Sequence, residues 1–148
     1  MDAARREKKE HGTLAFPFQI YPALDGSEAD DSDFIPYHWH PELEIIRVDA
    51  GHVSLTIADH TYEGTHGDVF FAAGEELHEI RAAGRENQFR SFVFAADFLQ
   101  FSRADQSEFA LLSPLAEGRL RFGTCIRAGE PGQSEIRTLL AQIVRAWQ

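Results

Sequence analysis

Three histidines and one glutamate are spaced so that strands of a small β-barrel would bring their side chains to one interior point. His38, His40 and Glu44 are separated by even numbers of residues. Because side chains alternate between the two faces of a strand, these three point the same way. His78 must come from another strand, and a turn at Gly67 provides the reversal. Imidazole nitrogens and a carboxylate oxygen suit first-row divalent metals, so the spacing predicts a four-ligand site.

Length and composition favour a single β-rich domain. The chain has 148 residues, and its 12 Phe, 3 Tyr and 2 Trp stand largely in short strand-like runs. The net charge of −10 argues against direct binding to DNA. Cys125 is the single cysteine, which excludes an intrachain disulfide and favours a reducing compartment. No signal peptide or membrane-length apolar run is present, so we expect a cytoplasmic protein without membrane contact.

Patterns along the chain divide it into three parts. Residues 1–13 are polar and charged, and we expect a mobile N-terminal arm. Residues 14–128 contain short strands with turn signals between them, followed by short helices, which predicts a closed or double-sheet β-barrel. Residues 133–148 begin an amphipathic helix with Ser134 as its N-cap. No helix stop signal precedes the end at Gln148, so we expect this sequence to be part of a longer protein.

The histidine-glutamate segment resembles the first motif of the cupin superfamily, G-x5-H-x-H-x3-4-E-x6-G. His38, His40, Glu44 and Gly51 match this motif, and Ser32 stands at its leading glycine. The resemblance implies a mainly β fold, a cupin-like double-stranded β-helix (jelly-roll) barrel, followed here by C-terminal α-helices.

The second cupin motif, G-x5-P-x-G-x2-H-x3-N, is matched in part. Gly67 and His78 stand at its first glycine and its histidine. Ala73, Glu75 and Ala82 replace the proline, the second glycine and the asparagine. The resemblance therefore supports the fold more firmly than it supports a metal.

A narrower resemblance, to the N-terminal effector-binding half of AraC-type transcription regulators, covers nearly the whole chain. It rests on residues 38–45, 67–70, 76–78, 92–94, 98–99 and 113–115. In that family a cupin-like barrel senses a small molecule, a helical segment mediates dimerisation, and a separate C-terminal pair of helix-turn-helix motifs binds DNA. The resemblance implies a small-molecule-sensing and dimerisation domain of a bacterial AraC-type regulator. DNA would be bound only through a helix-turn-helix domain that is absent from this chain.

Two interpretations of the four-residue site remain open. The site holds one divalent ion, such as zinc, nickel, manganese or iron, or it hydrogen-bonds an organic effector directly, as sensors of this family generally do. Tyr37 flanks the cluster and is predicted to bind the ligand together with it. Glu42 has the same strand parity as Glu44, and it could replace Glu44 if Pro41 distorts the strand.

Two function classes fit these patterns, a sensor and a metal-dependent cupin enzyme of the dioxygenase, isomerase or decarboxylase type. The sequence nominates no separate acid-base residue, so we expect the sensor rather than the enzyme. The last helix carries an apolar stripe of six residues, Ile136, Leu139, Leu140, Ile143, Val144 and Trp147. Such a stripe predicts a homodimer with Leu140, Ile143 and Trp147 near the contact.

Overall fold

Short strands pair into two antiparallel sheets in the computed structural model, which describes residues 3–22 and 34–147. One sheet has the strand order β1 (Phe18–Tyr21), β8 (Gln88–Phe94), β3 (Leu43–Ala50), β6 (Val69–Ala72) and β9 (Cys125–Ile126). The other has the order β2 (Phe34–His38), β7 (His78–Arg81), β4 (His52–Ile57) and β5 (His60–Thr65). This is the predicted mainly β, cupin-like double-stranded barrel. Ser32, at the leading position of the first motif, lies outside the described residues.

Apolar side chains from both sheets fill the space between them. Val53, Leu55 and Ile57 alternate along β4 and are buried, and they pack with Ile46 of β3 and Phe70 of β6. Burying such side chains contributes on the order of 2 kcal/mol each relative to leaving them in water. These side chains form an apolar core inside the barrel.

Two breaks in the chain separate the strands that carry the site from their neighbours in sequence. Pro41 lies between β2 and β3, where its missing N–H removes no ladder hydrogen bond. Gly51 joins β3 to β4 with a φ of +64°, and a Cβ at this position would overlap Asn87. The two strands that flank Pro41 can therefore pair with different sheets, β2 with β7 and β3 with β6 and β8.

The C-terminal helix α2 (Gln133–Trp147) covers the outer face of the sheet that contains β1, β8 and β3. Leu140 is buried in one apolar cluster with residues of this sheet, among them Phe92, and the Trp147 ring lies 5.1 Å from the ring of Phe18. The helix begins one residue before the predicted N-cap, Ser134. The first helical bond runs from Ile136 N–H to the Gly132 carbonyl, so Gly132 takes the capping position.

Short helical segments connect the barrel to α2. A 3-10 turn spans Ala96–Leu99, a π-helical turn spans Glu108–Leu112, and α1 spans Ser113–Ala116. A further 3-10 turn, Ala3–Arg5, begins the described N-terminal segment. Within the described ranges, no helix has both the length and the apolarity needed to cross a membrane.

The described part of the predicted mobile arm, residues 3–13, lies along the connection between β2 and β3. The Trp39 N–H donates to the Arg5 carbonyl at 3.1 Å, and the Glu7 N–H donates to the Trp39 carbonyl at 2.9 Å. The Arg6 guanidinium lies 5.6 Å from the centre of the Trp39 ring. These contacts bring Glu7 and the residues after it to the mouth of the barrel.

Candidate metal and effector site

Neighbouring strands deliver the four predicted side chains to one place. His38 ends β2 and is the register partner of His78, the first residue of β7. Glu44 lies in β3, and His40 lies in the connection that precedes β3. The Glu75 N–H donates to the His40 carbonyl at 2.7 Å, which fixes this connection. One ligand atom from each of the four side chains lies within 4.8 Å of every other.

The Glu44 carboxylate is at the centre of the cluster. Its Oε2 atom accepts hydrogen bonds from His40 Nε2 at 3.2 Å and from His78 Nε2 at 3.0 Å. The centre of the His38 ring lies 4.2 Å from that of His78 and 5.5 Å from that of His40. His40, Glu44 and His78 are buried, whereas His38 is partly exposed. The cluster is thus sealed on one side and open on the side of His38.

Hydrogen bonds behind the histidines orient their rings. The Nδ1 atom of His38 lies 2.9 Å from the Pro36 carbonyl, and that of His78 lies 2.7 Å from the Glu76 carbonyl. Because a carbonyl only accepts, Nδ1 carries the proton in both rings and Nε2 is directed into the cluster. Metal-bound histidines are usually held in this way by a second acceptor.

The donor set fits a first-row divalent ion. Two bonds of about 2.1 Å separate donor atoms by about 3.4 Å at a tetrahedral angle, so a bound ion would draw the more distant of the four atoms, which all lie within 4.8 Å of one another, closer together. Glu42 does not replace Glu44 in this set. Its Oε2 atom lies 3.5 Å from His40 Nδ1, the ring nitrogen opposite the one that faces Glu44.

The electrostatics of the cluster are those of a buried ion pair. Burial alone would raise the pKa of Glu44, but hydrogen bonds and charges from His40 and His78 hold it well below its usual range. Burial alone would lower the pKa of His78, but Glu44 and the Glu76 carbonyl raise it. Burial and the nearby His78 lower the pKa of His38. A bound cation would take the place of the protons that the histidines share with Glu44.

A cavity of about 910 Å³ adjoins the cluster, and His38, His40 and Glu44 form part of its wall. Ser91 also lines it, and the buried Ser91 Oγ has no hydrogen-bond partner within the described part of the chain. Tyr37, which we predicted to bind the ligand, does not line this cavity; its ring lies 5.7 Å from the Arg5 guanidinium. The structure therefore brings together four of the five predicted ligand-binding residues.

The N-terminal segment adds polar groups that the sequence did not reveal as part of the site. His11 Nδ1 lies 3.0 Å from the Tyr21 hydroxyl, and His11 Nε2 lies 3.2 Å from Glu7 Oε2. The same Glu7 oxygen lies 3.6 Å from His38 Nε2. The rings of His11 and His40 are 4.9 Å apart. The spacing of Glu7 and His11 is the sequence pattern that could have indicated that these two residues act together. No local pattern, however, indicates that this segment lies against the barrel.

The sequence of the chain also matches a known domain family. The model of the AraC-like ligand binding domain covers residues 21–147. The chain belongs to this family. No curated protein sequence matches the chain at a significant level.

Three solved structures resemble this AraC-like ligand-binding domain over part of their length. An RmlC-like cupin from Shewanella frigidimarina has 18% identity and a TM-score of 0.37, over 41% of this chain and 53% of that one. The DMSP lyase DddQ from Ruegeria pomeroyi has 21% identity and a TM-score of 0.38, over 50% and 37%. A mutant oxalate decarboxylase from Bacillus subtilis has 18% identity and a TM-score of 0.39, over 67% and 31%. The chain thus spans between 31% and 53% of the length of these structures.

Proposed function

We propose that this AraC-like ligand-binding domain is the effector-sensing and dimerisation domain of a bacterial transcription regulator in the cytoplasm. Family membership supports the sensing role. The effector is a small polar molecule that binds in the cavity of about 910 Å³ beside the cluster. DNA is bound through a helix-turn-helix domain outside this sequence, which agrees with the net charge of −10.

The single observation that carries this proposal is the convergence of the four polar side chains on one wall of the cavity. His38, His40, Glu44 and His78 hold one divalent first-row ion, of zinc, nickel, manganese or iron. Such an ion would supply a Lewis-acidic centre for the oxygen groups of an effector. Ser91 offers a hydroxyl on the same cavity surface, so the site recognises a polar molecule rather than an apolar one.

Ligand-dependent thermal unfolding tests this proposal. The untagged chain is screened against sugars, organic acids and other polar metabolites, with and without zinc, and its unfolding temperature is measured. A ligand at 100 times its dissociation constant stabilises the folded state by about 2.7 kcal/mol. In a domain of this size, we expect such a ligand to raise the unfolding temperature by roughly 5–10 °C.

Two histidine variants make the test specific for the site. His40→Ala removes a buried cluster residue, whereas His60→Ala removes a histidine whose side chain is 71% exposed. We expect His60→Ala to keep the ligand-dependent increase and His40→Ala to lose it, with both variants folded by circular dichroism. A ligand that stabilises both variants equally binds elsewhere and would refute the proposal.

A metal-dependent cupin enzyme is the second candidate, and one structural observation favours it. Tyr21, His11 and Glu7 form a chain of polar contacts beside the cluster residue His40. Such a chain could move a proton to or from a bound molecule. It would thus provide the acid-base group that the sequence alone did not indicate. Product analysis separates the two candidates. A sensor releases its stabilising ligand unchanged, whereas an enzyme converts it.

A further inference from the structure

A second group of metal-ligating side chains lies beside the first. Glu7, His11 and His40 each place one ligand atom within 4.8 Å of the other two. His11 and His40 are buried, and the Glu7 side chain is 27% exposed. All three residues line the cavity, so a small solute can reach the group from solvent.

Buried atoms in this group lack the hydrogen bonds that burial usually requires. His11 Nε2 faces Glu7 without hydrogen-bond geometry, and no other described residue bonds to it. His40 Nδ1 and Glu42 Oε2 lie 3.5 Å apart, and each is buried without a hydrogen bond to any described residue. Buried polar atoms in proteins almost always have a hydrogen-bond partner, so three such atoms close to one another call for a partner that the described residues do not supply.

A cation is the partner that suits these atoms. Carboxylate oxygens and the unprotonated nitrogen of a neutral imidazole present lone pairs to a positive charge. The Tyr21 hydroxyl lies 3.0 Å from His11 Nδ1, so the His11 ring is held from behind as metal-bound histidines are. Three protein ligands with one open position are a common arrangement for zinc.

We propose that Glu7, His11 and His40 form a second binding site for a divalent first-row cation, which shares His40 with the site at His38, His40, Glu44 and His78. When both ions are bound, the His40 ring bridges them as an imidazolate whose two ring protons have gone to solvent. Its Nε2, which faces Glu44, would bind the first ion, and its Nδ1, which has no hydrogen-bond partner among the described residues, would bind the second. Two of the three ligands belong to the N-terminal segment. Cation binding therefore ties residues 3–13 to the barrel.

Zinc stoichiometry of the whole untagged chain is the first test. After treatment with a chelator and dialysis, bound zinc is measured by equilibrium dialysis and elemental analysis. We expect about two equivalents in the unmodified chain and in the control His60→Ala, whose side chain is 71% exposed. We expect one equivalent in His11→Ala, which keeps the first site, and one in His78→Ala, which keeps the second.

Amide hydrogen exchange gives a readout that does not depend on counting ions. The Glu7 N–H donates to the Trp39 carbonyl, so its exchange reports whether the N-terminal segment is docked. We expect zinc to slow this exchange at least tenfold in the unmodified chain and to have no such effect in His11→Ala. Exchange at Glu7 that zinc leaves unchanged in both proteins would overturn the proposal.

The outcomes of the stoichiometry test distinguish the two sites. One equivalent that requires His78 but not His11 would overturn the second site and leave the first. One equivalent that requires His11 but not His78 would support the second site and refute metal binding at the first. One equivalent that requires both side chains would mean a single shared ion, and no bound zinc would exclude both; either result would overturn the second site.

Discussion

Glu75 has a backbone conformation that favours glycine. Its φ is +64°, in the left-handed region, and it stands where the second cupin motif has its second glycine. A residue with a Cβ costs roughly 1 kcal/mol or more in this region. We predict that Glu75→Gly raises the free energy of unfolding by up to about 1 kcal/mol, because the released strain exceeds the added entropy of the unfolded chain. Urea unfolding measures this change.

A matched glutamate gives the control for this substitution. Glu63 is exposed in β5 and has an ordinary negative φ, so Glu63→Gly brings only the entropic cost of glycine in a strand. We expect it to lower the free energy of unfolding by roughly 0.5–1 kcal/mol. If both glycine variants destabilise the chain equally, the conformation at Glu75 is not strained.

Glu44 and His78 link the stability of the metal-free protein to pH. The pKa of Glu44 is lowered on folding, so its contribution is present above the unfolded pKa and is lost as pH falls through the folded pKa. The pKa of His78 is raised, so its contribution is complete below the unfolded pKa and is lost as pH rises through the folded pKa. Together they stabilise the fold most between roughly pH 4.3 and 6.5.

Glu44→Gln tests this linkage. The substitution leaves the histidines without a carboxylate partner, so we predict a loss of about 3 kcal/mol near pH 5.5 with a chelator present. The loss should decrease as the pH rises toward 8.5, because the contribution of His78 is lost as the pH rises through its raised folded pKa. Urea unfolding at both pH values measures the two differences. A loss that is equal at pH 5.5 and pH 8.5 would contradict the proposed ion pair.

The motif spacing predicted which residues form the first cluster, but strand parity did not predict how they meet. His38 ends β2, His40 lies in the connection and Glu44 lies in β3, and the two strands belong to different sheets, so the three residues do not share the face of one strand. Glu7 and His11 were not predictable, because their place depends on hydrogen bonds between residue 39 and the N-terminal segment. Contacts over such separations leave no periodic pattern in the sequence.

Among the elements, a turn of the barrel holds the start of the C-terminal helix. Asp68 Oδ2 accepts from the Thr65 N–H at 2.9 Å and from Arg127 Nη1 at 2.8 Å, and Oδ1 accepts from the Ala128 N–H at 2.8 Å. At the first residue of α2, the side chain of Gln133 donates to the Gly67 carbonyl. The approach to α2 is therefore fixed to the turn between β5 and β6.

Asp68→Asn should weaken this connection. Burial alone would raise the pKa of Asp68, but the hydrogen bonds from Thr65, Ala128 and Arg127 lower it. Asp68 therefore contributes to the stability of the fold above the usual aspartate pKa, and this contribution is lost as the pH falls through the folded pKa. We predict a loss of about 2 kcal/mol at pH 7 that shrinks toward pH 3. Asp59→Asn, at a side chain that is 85% exposed, should change stability by less than about 0.5 kcal/mol. Equal effects of the two variants at pH 7 would refute the role of Asp68.

Periodicity predicted α2 as an element but not the direction of each apolar side chain. The stripe from Ile136 to Trp147 is wide, and the structure uses one edge of it, including Leu140, to cover the sheet. Leu139 and Ile143 stay on the solvent side. Which edge faces the barrel depends on the apolar residues that β1, β3 and β8 present, which the helix sequence does not contain.

At the scale of the whole molecule, α2 exposes apolar side chains that do not pack on the barrel. Leu139 is 57% exposed and Ile143 is 39% exposed, whereas Leu140 is 4% exposed. Leu140, which we predicted near a dimer contact, is therefore occupied within its own chain. Trp147 packs between Phe16 and Phe18 and is only partly accessible. A contact through α2 would use the Leu139–Ile143 edge of the helix.

We predict that the chain forms a homodimer through this edge. A two-fold contact needs only one self-complementary patch, and residues four apart on a helix lie on the same face, so Leu139 and Ile143 can meet their copies in a second subunit. Light scattering after size-exclusion chromatography should give twice the monomer mass at high concentration. Leu139→Glu with Ile143→Glu should give the monomer mass, because each carboxylate would lose its hydration in the contact. Leu14→Glu, at an exposed residue outside α2, should remain dimeric. A monomer at every concentration would refute the dimer, and a dimer that survives both glutamates would place its contact elsewhere.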